Sequence, residues 1–213
     1  METATLPPLA PAKKSNLTIR FDGWEVYDTR PAMSDEEFEA FCLQNPHLRI
    51  EQDKHGNIII MSPVSYDSGN QESVVSGYLF IWNLQTKLGK TFSSSTMFIL
   101  PDGEKRMPDA AWVPVEKHMK LSRWERKKFA ALTPDFVVEV RSPSDDTENL
   151  KDKMKDIWIA NGVRLAWLID VEKESSWIFR ADGSCEEIRG LDKTLSGEDV
   201  LPGFAFDLSV LKE

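Results

Sequence analysis

The sequence predicts an α/β domain of mixed (α+β) type, with a mixed sheet flanked by helices. After residue 30, helical segments and short apolar strands follow one another without an internal repeat. The 213 residues are 41% hydrophobic and 29% charged, which is typical of a globular protein with a sizeable core. We expect one domain over residues 31–213. Residues 1–30, with prolines beside lysines and little apolar periodicity, are expected to form a flexible tail.

End signals and periodicity predict the first three elements. In SDEEFEAFCLQN, Ser34 is a favoured N-cap and acids fill the first turn, so a helix is expected to begin there. The stretch LRIEQDKHGNIIIMS predicts a β-hairpin around His55-Gly56-Asn57. A longer helix is expected from about Ser68 to Lys87, ended by Gly89. Its apolar stripe consists of Val74, Val75, Tyr78, Leu79 and Trp82.

The remaining elements are shorter. TFSSSTMFIL, MPDAAWVPV and DFVVEV each predict a strand, and LPDGEK predicts a turn after the first of them. SRWERKKFAAL predicts a short helix, and TENLKDKMKDIWIAN predicts a helix that Gly162 stops. RLAWLID and SSWIFR predict a strand pair to which CEEIR adds an edge. Strands mixed with helices in this order favour a sheet with helices on its faces.

Charge and residue content disfavour several kinds of site. The net charge of −9 counts against broad nonspecific binding of nucleic acid, although a bound divalent cation can offset it locally. The two cysteines lie far apart and the three histidines lack a metal-binding spacing, so disulfides and zinc sites are disfavoured. The first residues lack a continuous apolar segment, and no apolar run is long enough for a membrane, so we expect a cytoplasmic protein.

The predicted strand DFVVEVR contains an acid, Glu139, between apolar residues that are expected to be buried. Its alternation gives two faces, one with Phe136, Val138 and Val140 and the other with Val137, Glu139 and Arg141. A glutamate among valines is costly to bury unless it is paired or binds a cation. The alternative is an edge strand on which Glu139 and Arg141 are solvated.

A second acid favours the cation-binding interpretation. Three Pro-Asp pairs are candidates. Asp102 precedes a glycine and is typical of a turn, whereas Asp135 begins the strand of Glu139 itself. Asp109 leads into a separate apolar strand, so Asp109 and Glu139 can converge on one ion if the two strands are neighbours. Oxygen-only ligands select hard cations such as Mg²⁺ or Mn²⁺.

Several stretches, taken in order, resemble the Uma-type restriction endonuclease domain, a branch of the PD-(D/E)XK nuclease superfamily. They are LRIEQDKHGNIIIMSP, FSSSTMFILPDG, MPDAAWV, PDFVVEVRSPSD, KMKDIWIANGVRLAWLID and LSGEDVLPGFAFDL, which lie within residues 34–210. The resemblance implies a restriction-endonuclease-like core in which Asp109 and Glu139 bind the metal. It also makes Glu51 a third acid, although by itself Glu51 is only a polar residue before a hairpin turn.

The chain departs from the superfamily pattern at one position. The lysine expected two residues after Glu139 is Arg141, and arginine stabilises negative charge but does not act as a base. The resemblance implies that the lysine has moved to the following helix, which offers Lys151, Lys153 and Lys155. Lys153 matches the Lys-Met pair of the family, although its distance to Gly162 is one residue longer than expected. A solvated helix lysine is the alternative for each of the three.

The sequence thus predicts a metal-dependent endonuclease that hydrolyses DNA phosphodiester bonds with Asp109, Glu139, Lys153 and Glu51, using Mg²⁺ or Mn²⁺. DNA is the expected partner, a membrane is not, and a homodimer stays open. A non-catalytic binding protein on a degenerate nuclease fold is the main alternative. A hydrolase for another phosphoester is a third. The basic cluster Arg123, Arg126, Lys127 and Lys128 is interpreted as a solvated helix face rather than a phosphate contact.

Overall fold

The structure of the protein, a computed structural model, describes residues 18–19, 25–27 and 33–212. It falls into two compact units, one ending at Met61 and one beginning at Ser62. The predicted tail of residues 1–30 lies outside the described residues, apart from its two short strands. The predicted domain boundaries therefore stay a prediction. Within the described ranges, no helix is both long and apolar enough to cross a membrane.

The first unit contains one helix and an antiparallel sheet of order β1-β2-β4-β3. Its elements are β1 (Thr18–Ile19), β2 (Glu25–Tyr27), α1 (Asp35–Gln44), β3 (Arg49–Gln52) and β4 (Ile58–Met61). Ser34 caps α1 as predicted, because its hydroxyl accepts from the Glu37 amide while the Glu37 carboxylate accepts from the Ser34 amide. The predicted hairpin is confirmed as well, since Asp53 Oδ1 accepts from the amides of His55 and Asn57.

The second unit is a six-stranded mixed sheet of order β13-β12-β11-β10-β8-β5, accompanied by shorter strands. The strands are β5 (Gly89–Ser93), β6 (Phe98–Ile99), β7 (Lys105–Arg106), β8 (Ala110–Pro114), β9 (Ala130–Ala131), β10 (Phe136–Val140), β11 (Leu165–Asp170), β12 (Ser175–Arg180), β13 (Cys185–Arg189), β14 (Thr194–Ser196) and β15 (Ala205–Asp207). The helical segments are α2 (Tyr66–Thr86), α3 (Val115–Lys120), a 3₁₀ turn (Glu125–Lys127), α4 (Thr147–Asp152), a π-helical segment (Lys153–Ile159) and a last 3₁₀ turn (Leu208–Leu211).

The central strand β10 separates two apolar cores, as its alternation predicts. Phe136, Val138 and Val140 pack into the core beneath α2, whereas Val137 packs on the opposite face. The first core is rich in aromatic rings, for example the stacked pair Trp167 and Phe204 at 5.6 Å. The second core is built around Met154 and Trp158 from the π-helical segment. Both faces of β10 are therefore buried, and the edge-strand alternative is wrong.

Three predicted elements need correction. The predicted strand TFSSSTMFIL is two strands, β5 and β6, separated by a turn at Ser94 and Ser95. The predicted helix SRWERKKFAAL contains only one 3₁₀ turn, and β9 follows it. Gly89 does not end α2, because Lys87 takes the left-handed conformation there (φ 57°) and Gly89 opens β5. On the predicted stripe of α2, Tyr78 is 41% exposed, whereas Val75, Leu79 and Trp82 are buried.

The glycine at position 89 is required by close packing. A Cβ atom there would lie 2.3 Å from the Val113 carbonyl oxygen and 2.5 Å from the Trp112 ring. We expect Gly89→Ala to lower the free energy of unfolding by about 2 kcal/mol or more, because the neighbouring strand must move. Gly69→Ala is the matched control, since the nearest atom to its Cβ is 3.7 Å away. Urea unfolding measures both, and equal stabilities would contradict the prediction.

Candidate active site

The two candidate acids lie side by side on neighbouring strands. Strands β8 and β10 are antiparallel, and Ala110 is paired with Val138. One step further along this register, Asp109 at the start of β8 stands opposite Glu139. Asp109 Oδ2 accepts a hydrogen bond of 2.7 Å from the Val140 amide, which fixes its carboxylate beside β10. The structure therefore brings Asp109 and Glu139 to one place on the second face of the sheet.

Glu139 is held by two donors from the segment that follows. Its side chain is almost completely buried, and Oε1 accepts from the Trp158 indole Nε1 at 2.8 Å. The ammonium of Lys153 lies 2.8 Å from the same oxygen. A buried carboxylate needs such partners because the loss of hydration is otherwise uncompensated. Glu139 is thus fixed in one orientation, next to a positive charge.

The geometry separates the three candidate lysines. Lys153 is mostly buried and reaches Glu139. Lys151 pairs with Glu148 at 2.9 Å and lies over the Trp177 ring, with 4.2 Å between its ammonium and the ring centroid. Lys155 is exposed. Of these lysines, Lys153 is the one that the structure brings to the acid pair.

The π-helical segment explains how Lys153 and Trp158 reach one oxygen. Its hydrogen bonds join residues five apart, as in the bond from the Ala160 amide to the Lys155 carbonyl at 3.0 Å. In an α-helix, residues five apart point about 140° away from each other. The wider π turn brings Lys153 and Trp158 to the same side.

Removing one residue from this stretch should separate the two donors. Ala160 is exposed and follows the π-helical segment, so its deletion removes no core side chain. We expect the segment to tighten to an α-helix and Lys153 or Trp158 to leave Glu139, so that any activity of the site falls at least about tenfold. Ala160→Ser keeps the length and serves as the control. Melting curves must show that the deletion variant is folded; a folded variant with full activity would contradict this account.

Burial and neighbouring acids set the ionisation of Asp109. Burial is the largest cause of its raised pKa, followed by the negative charges of Glu139 and Glu72. The hydrogen bond from the Val140 amide and the charge of Lys153 act in the opposite direction. The pKa of Asp109 nevertheless lies well above its ordinary value. Two neighbouring carboxylates in a partly buried place favour a cation between them, because a cation relieves their repulsion.

Glu72 is the acid that sequence reasoning missed. It lies on α2, three residues before Val75 and seven before Leu79, which are buried against the sheet. The helical spacing of these positions was the available signal, since an acid on the core-facing stripe of an otherwise apolar helix needs a reason. The negative charge of Glu72 contributes to the raised pKa of Asp109, which makes Glu72 a candidate member of the site.

The other predicted acids have different surroundings. Glu51 is buried on β3 in the first unit, paired with Ile59 across the hairpin, and its role as a third acid stays a prediction. Asp135 forms ion pairs with Lys117 at 2.6 Å and with Arg164 at 3.6 Å, which accounts for its burial without a metal. Asp102 accepts from the Glu104 amide in a turn. These surroundings support the choice of Asp109 among the Pro-Asp pairs.

Arg141 points to the loops beyond β10 and β11. Its guanidinium donates to Glu172 at 2.6 Å and to the Asp145 carbonyl at 3.1 Å, and it lies 3.5 Å from Asp170. These partners raise the pKa of Arg141, chiefly through the hydrogen bond to Glu172. Arg141, two positions after Glu139, therefore links the C-terminal ends of β10 and β11.

The donor set fits a hard cation that retains water or substrate ligands. Within residues 33–212 and the two described strands before them, no group of three or more His, Cys, Asp or Glu side chains is arranged to hold a metal. Mg²⁺ is commonly bound through one or two carboxylates, with waters and substrate phosphates completing its octahedron. The oxygen pair of Asp109 and Glu139 matches that pattern.

Comparison with known proteins shows the family and the fold of this chain. The sequence profile of the Uma2 family, described as "Putative restriction endonuclease", matches residues 35–210. This chain belongs to the Uma2 family. A similar solved structure is that of "a putative nuclease belonging to DUF820" from Anabaena variabilis, with 16% sequence identity and a TM-score of 0.68. The match covers 84% of this chain and 97% of the other. Among curated proteins, no match is found.

Membership of the Uma2 family confirms the resemblance found in the sequence, and the structural match confirms the nuclease-like fold.

The basic cluster of this Uma2-family chain lies on the surface. Its residues Arg123, Arg126, Lys127 and Lys128 are all exposed around the 3₁₀ turn. The Lys128 ammonium lies 5.7 Å from the centroid of the exposed Trp124 ring. Exposure suits both a solvated face and a phosphate contact, so the interpretation as a solvated face stays a prediction.

Proposed function

We propose that this Uma2-family chain is a Mg²⁺- or Mn²⁺-dependent endonuclease that hydrolyses DNA phosphodiester bonds in the cytoplasm. One observation carries the proposal: Asp109 and Glu139 stand opposite each other on neighbouring strands, and Lys153 lies 2.8 Å from Glu139. An acid pair beside an ammonium is the equipment for binding a cation and for stabilising the negative charge of a phosphoryl transition state.

Each residue has a separate task in this proposal. Asp109 and Glu139 would hold the metal, with Glu72 near enough to add charge. The metal, when bound, supplies a polarised phosphate oxygen and a water of lowered pKa. Lys153 places its ammonium beside the acids, where it stabilises developing negative charge on the phosphate. Trp158 is a positioning residue, because its indole holds the Glu139 carboxylate in place.

The alternatives differ from this proposal in one respect each. A non-catalytic DNA- or partner-binding protein would not need a buried acid pair beside a lysine. Burying these carboxylates is costly unless they bind a ligand. This cost favours the catalytic proposal. A hydrolase for another phosphoester would use the same residues, and the net charge of −9 leaves that substrate class open. Substrate competition, not geometry, separates the two hydrolases.

Plasmid cleavage tests the proposal. Purified protein with Mn²⁺ or Mg²⁺ should nick or linearise supercoiled DNA, and Glu139→Gln should abolish this activity. Glu116→Gln changes an exposed acid at the start of α3 and is the control substitution of the same type. Activity that persists in the Glu139→Gln protein would identify a contaminant or another site. If wild-type protein binds DNA without cutting it at any metal concentration, the binding-protein alternative is favoured.

Metal binding should be visible without activity. A ligand that binds only the folded state raises the melting temperature, so Mn²⁺ should stabilise the wild-type protein in a concentration-dependent way. The Asp109→Ala/Glu139→Ala variant should lose this effect. Isothermal calorimetry gives the same comparison directly. Equal binding by the wild-type and double-variant proteins would contradict the assignment of Asp109 and Glu139 as ligands.

A further inference from the structure

The C-terminal half of helix α2 carries no charged residue. Only two of its 21 residues, Asp67 and Glu72, carry charge, and both lie in its N-terminal half. The sheet-facing side buries Val75, Leu79 and Trp82. On the other side, large apolar side chains are exposed in the C-terminal half and just beyond it: Phe80 (50%), Ile81 (54%), Leu84 (55%) and Leu88 (41%). We call these four residues the α2 outer stripe.

A helix that is apolar on both sides is ordinarily covered on both sides. Phe80, Ile81 and Leu84 follow the one-, three- and four-residue spacing of a single helical face, and Leu88 extends it past the end of the helix. Together the four half-exposed side chains present roughly 300–400 Å² of apolar surface, given side chains of about 150–200 Å² each. An apolar area of this size is comparable to the largest patch on a typical monomer, and such patches are often functional.

Gly77 supports the same conclusion independently. A Cβ atom at Gly77 would meet no atom within 4 Å, so packing within the described part of the chain does not require a glycine there. In the interior of a helix, glycine costs roughly 0.5–1 kcal/mol relative to alanine. The half-buried Gly77, one turn before Ile81, provides space for the side chain of an approaching helix.

The lack of acids on this face decides what covers it. The chain carries a net charge of −9, so two copies approach each other favourably only through surfaces that lack acids. DNA would find only the exposed Lys87 at the C-cap within the span of the α2 outer stripe, and a basic partner would find no acid there. A two-fold pairing instead places the same apolar side chains on both sides of the interface.

We propose that the α2 outer stripe is the interface of a homodimer, in which α2 of one copy packs antiparallel against α2 of the other. Antiparallel pairing sets Ile81 near Leu84 of the second copy and lets the end of one stripe approach Gly77 of the other. A stable dimer buries about 800 Å² per partner. The stripe supplies close to half of this area, and its uncharged neighbours Asn70, Ser73 and Gln85 supply polar surroundings. The proposal does not depend on catalysis.

Sedimentation velocity of the full chain between about 1 and 200 μM tests the interface. Wild-type protein is expected to sediment as a dimer in the upper part of this range. Ile81→Glu/Leu84→Glu should raise the dissociation constant at least hundredfold, because four carboxylates would meet across the two-fold axis. Met119→Glu is the control, since Met119 is 66% exposed on α3 and lies outside the stripe. Circular dichroism checks that each variant is folded.

Gly77→Leu provides a second variant that keeps the charge unchanged. The larger side chain should strengthen the helix of a monomer and block the approach of a second helix, so thermal stability and dimerisation should move in opposite directions. A monomeric wild-type protein at all concentrations would overturn the proposal, and so would a dimer that persists in Ile81→Glu/Leu84→Glu. DNA binding by the wild-type protein that is lost in this double variant, without any change in sedimentation, would assign the face to nucleic acid and also overturn it.

Discussion

Asp109→Asn is expected to abolish DNA cleavage and, in metal-free buffer at neutral pH, to stabilise the folded protein. The loss of activity should be about hundredfold or more, since an amide is a poor ligand for a hard cation. The gain in stability follows from the raised pKa of Asp109, which reflects burial first and the charges of Glu139 and Glu72 next. Asparagine keeps the oxygen that accepts from the Val140 amide but removes the charge.

The pH dependence of this effect has a definite sign. Because folding raises the pKa of Asp109, the folded state binds the Asp109 proton more tightly than the unfolded state does. Its contribution to stability is fully present below the unfolded pKa and is lost as the pH rises through the raised folded pKa. The Asp109→Asn protein should lack this loss. Its free energy of unfolding should therefore exceed that of the wild-type protein by an amount that grows as the pH rises from acid values. For a chain of this size, each kcal/mol corresponds to roughly 2–4 °C of melting temperature.

Mn²⁺ should invert the comparison, because wild-type protein gains stability from the metal and Asp109→Asn does not. Asp156→Asn, an exposed acid on the π-helical segment, is the matched control and should change neither cleavage nor melting temperature. Melting curves with EDTA and with Mn²⁺ are sufficient for the test. If the Asp109→Asn protein is less stable than wild type in EDTA, this prediction is wrong. The favourable contacts of the Asp109 carboxylate would then outweigh its repulsion by the neighbouring acids.

Lys153→Ala is expected to lower the cleavage rate by about 10²–10³-fold, because the site loses the ammonium that faces the acids and the phosphate. Lys153→Ala should impair folding, measured as the free energy of unfolding, less than it impairs cleavage. Trp158 still donates to Glu139 in the variant, and a bound metal can replace the missing positive charge. Lys155→Ala should have little effect on either measurement, since Lys155 is exposed. Plasmid cleavage and urea unfolding of both variants provide the comparison.

A second substitution distinguishes position from charge. In the superfamily pattern, the lysine follows the strand acid by two residues, which is the position of Arg141. Arg141→Lys should nevertheless fail to rescue Lys153→Ala, because the side chain at 141 is directed to Glu172 and Asp145. Recovery of cleavage in the double variant would mean that a side chain at position 141 can reach the acid pair and that the π-helical segment is dispensable.

Local patterns were enough to predict the elements that carry the site. The alternation of β10 identified its two faces correctly, and the capping box of α1 identified a helix start. The serines of TFSSSTMFIL did not reveal the turn that separates β5 from β6, because each segment alone fits a strand. Lys87 ends α2 in a left-handed conformation that residue preference assigns to Gly89. The position at which α2 ends depends on tertiary packing, because Gly89 is needed where β5 lies close to Val113 and Trp112.

The site itself could be predicted only in part. Asp109 and Glu139 were identifiable because each introduces charge into an apolar strand. Glu72 was not, since its proximity to Asp109 depends on how α2 lies across the sheet. The family resemblance singled out Lys153 among the three lysines, but helical periodicity alone did not, because a sequence read with the period of an α-helix cannot place Lys153 and Trp158 on one side. Their shared contact with Glu139 exists only in the π-helical geometry.

The π-helical segment also matters for comparing this chain with its relatives by alignment. Insertions are usually assigned to loops, where chain length varies most. A π turn joins residues five apart by its hydrogen bonds instead of four, so it takes up one residue more than an α-helical turn. In this chain such turns lie between Lys153 and Gly162, in the helix that carries Lys153. Aligning this chain with a relative whose corresponding helix is purely α-helical would therefore require a gap inside the helix to keep the lysines in register.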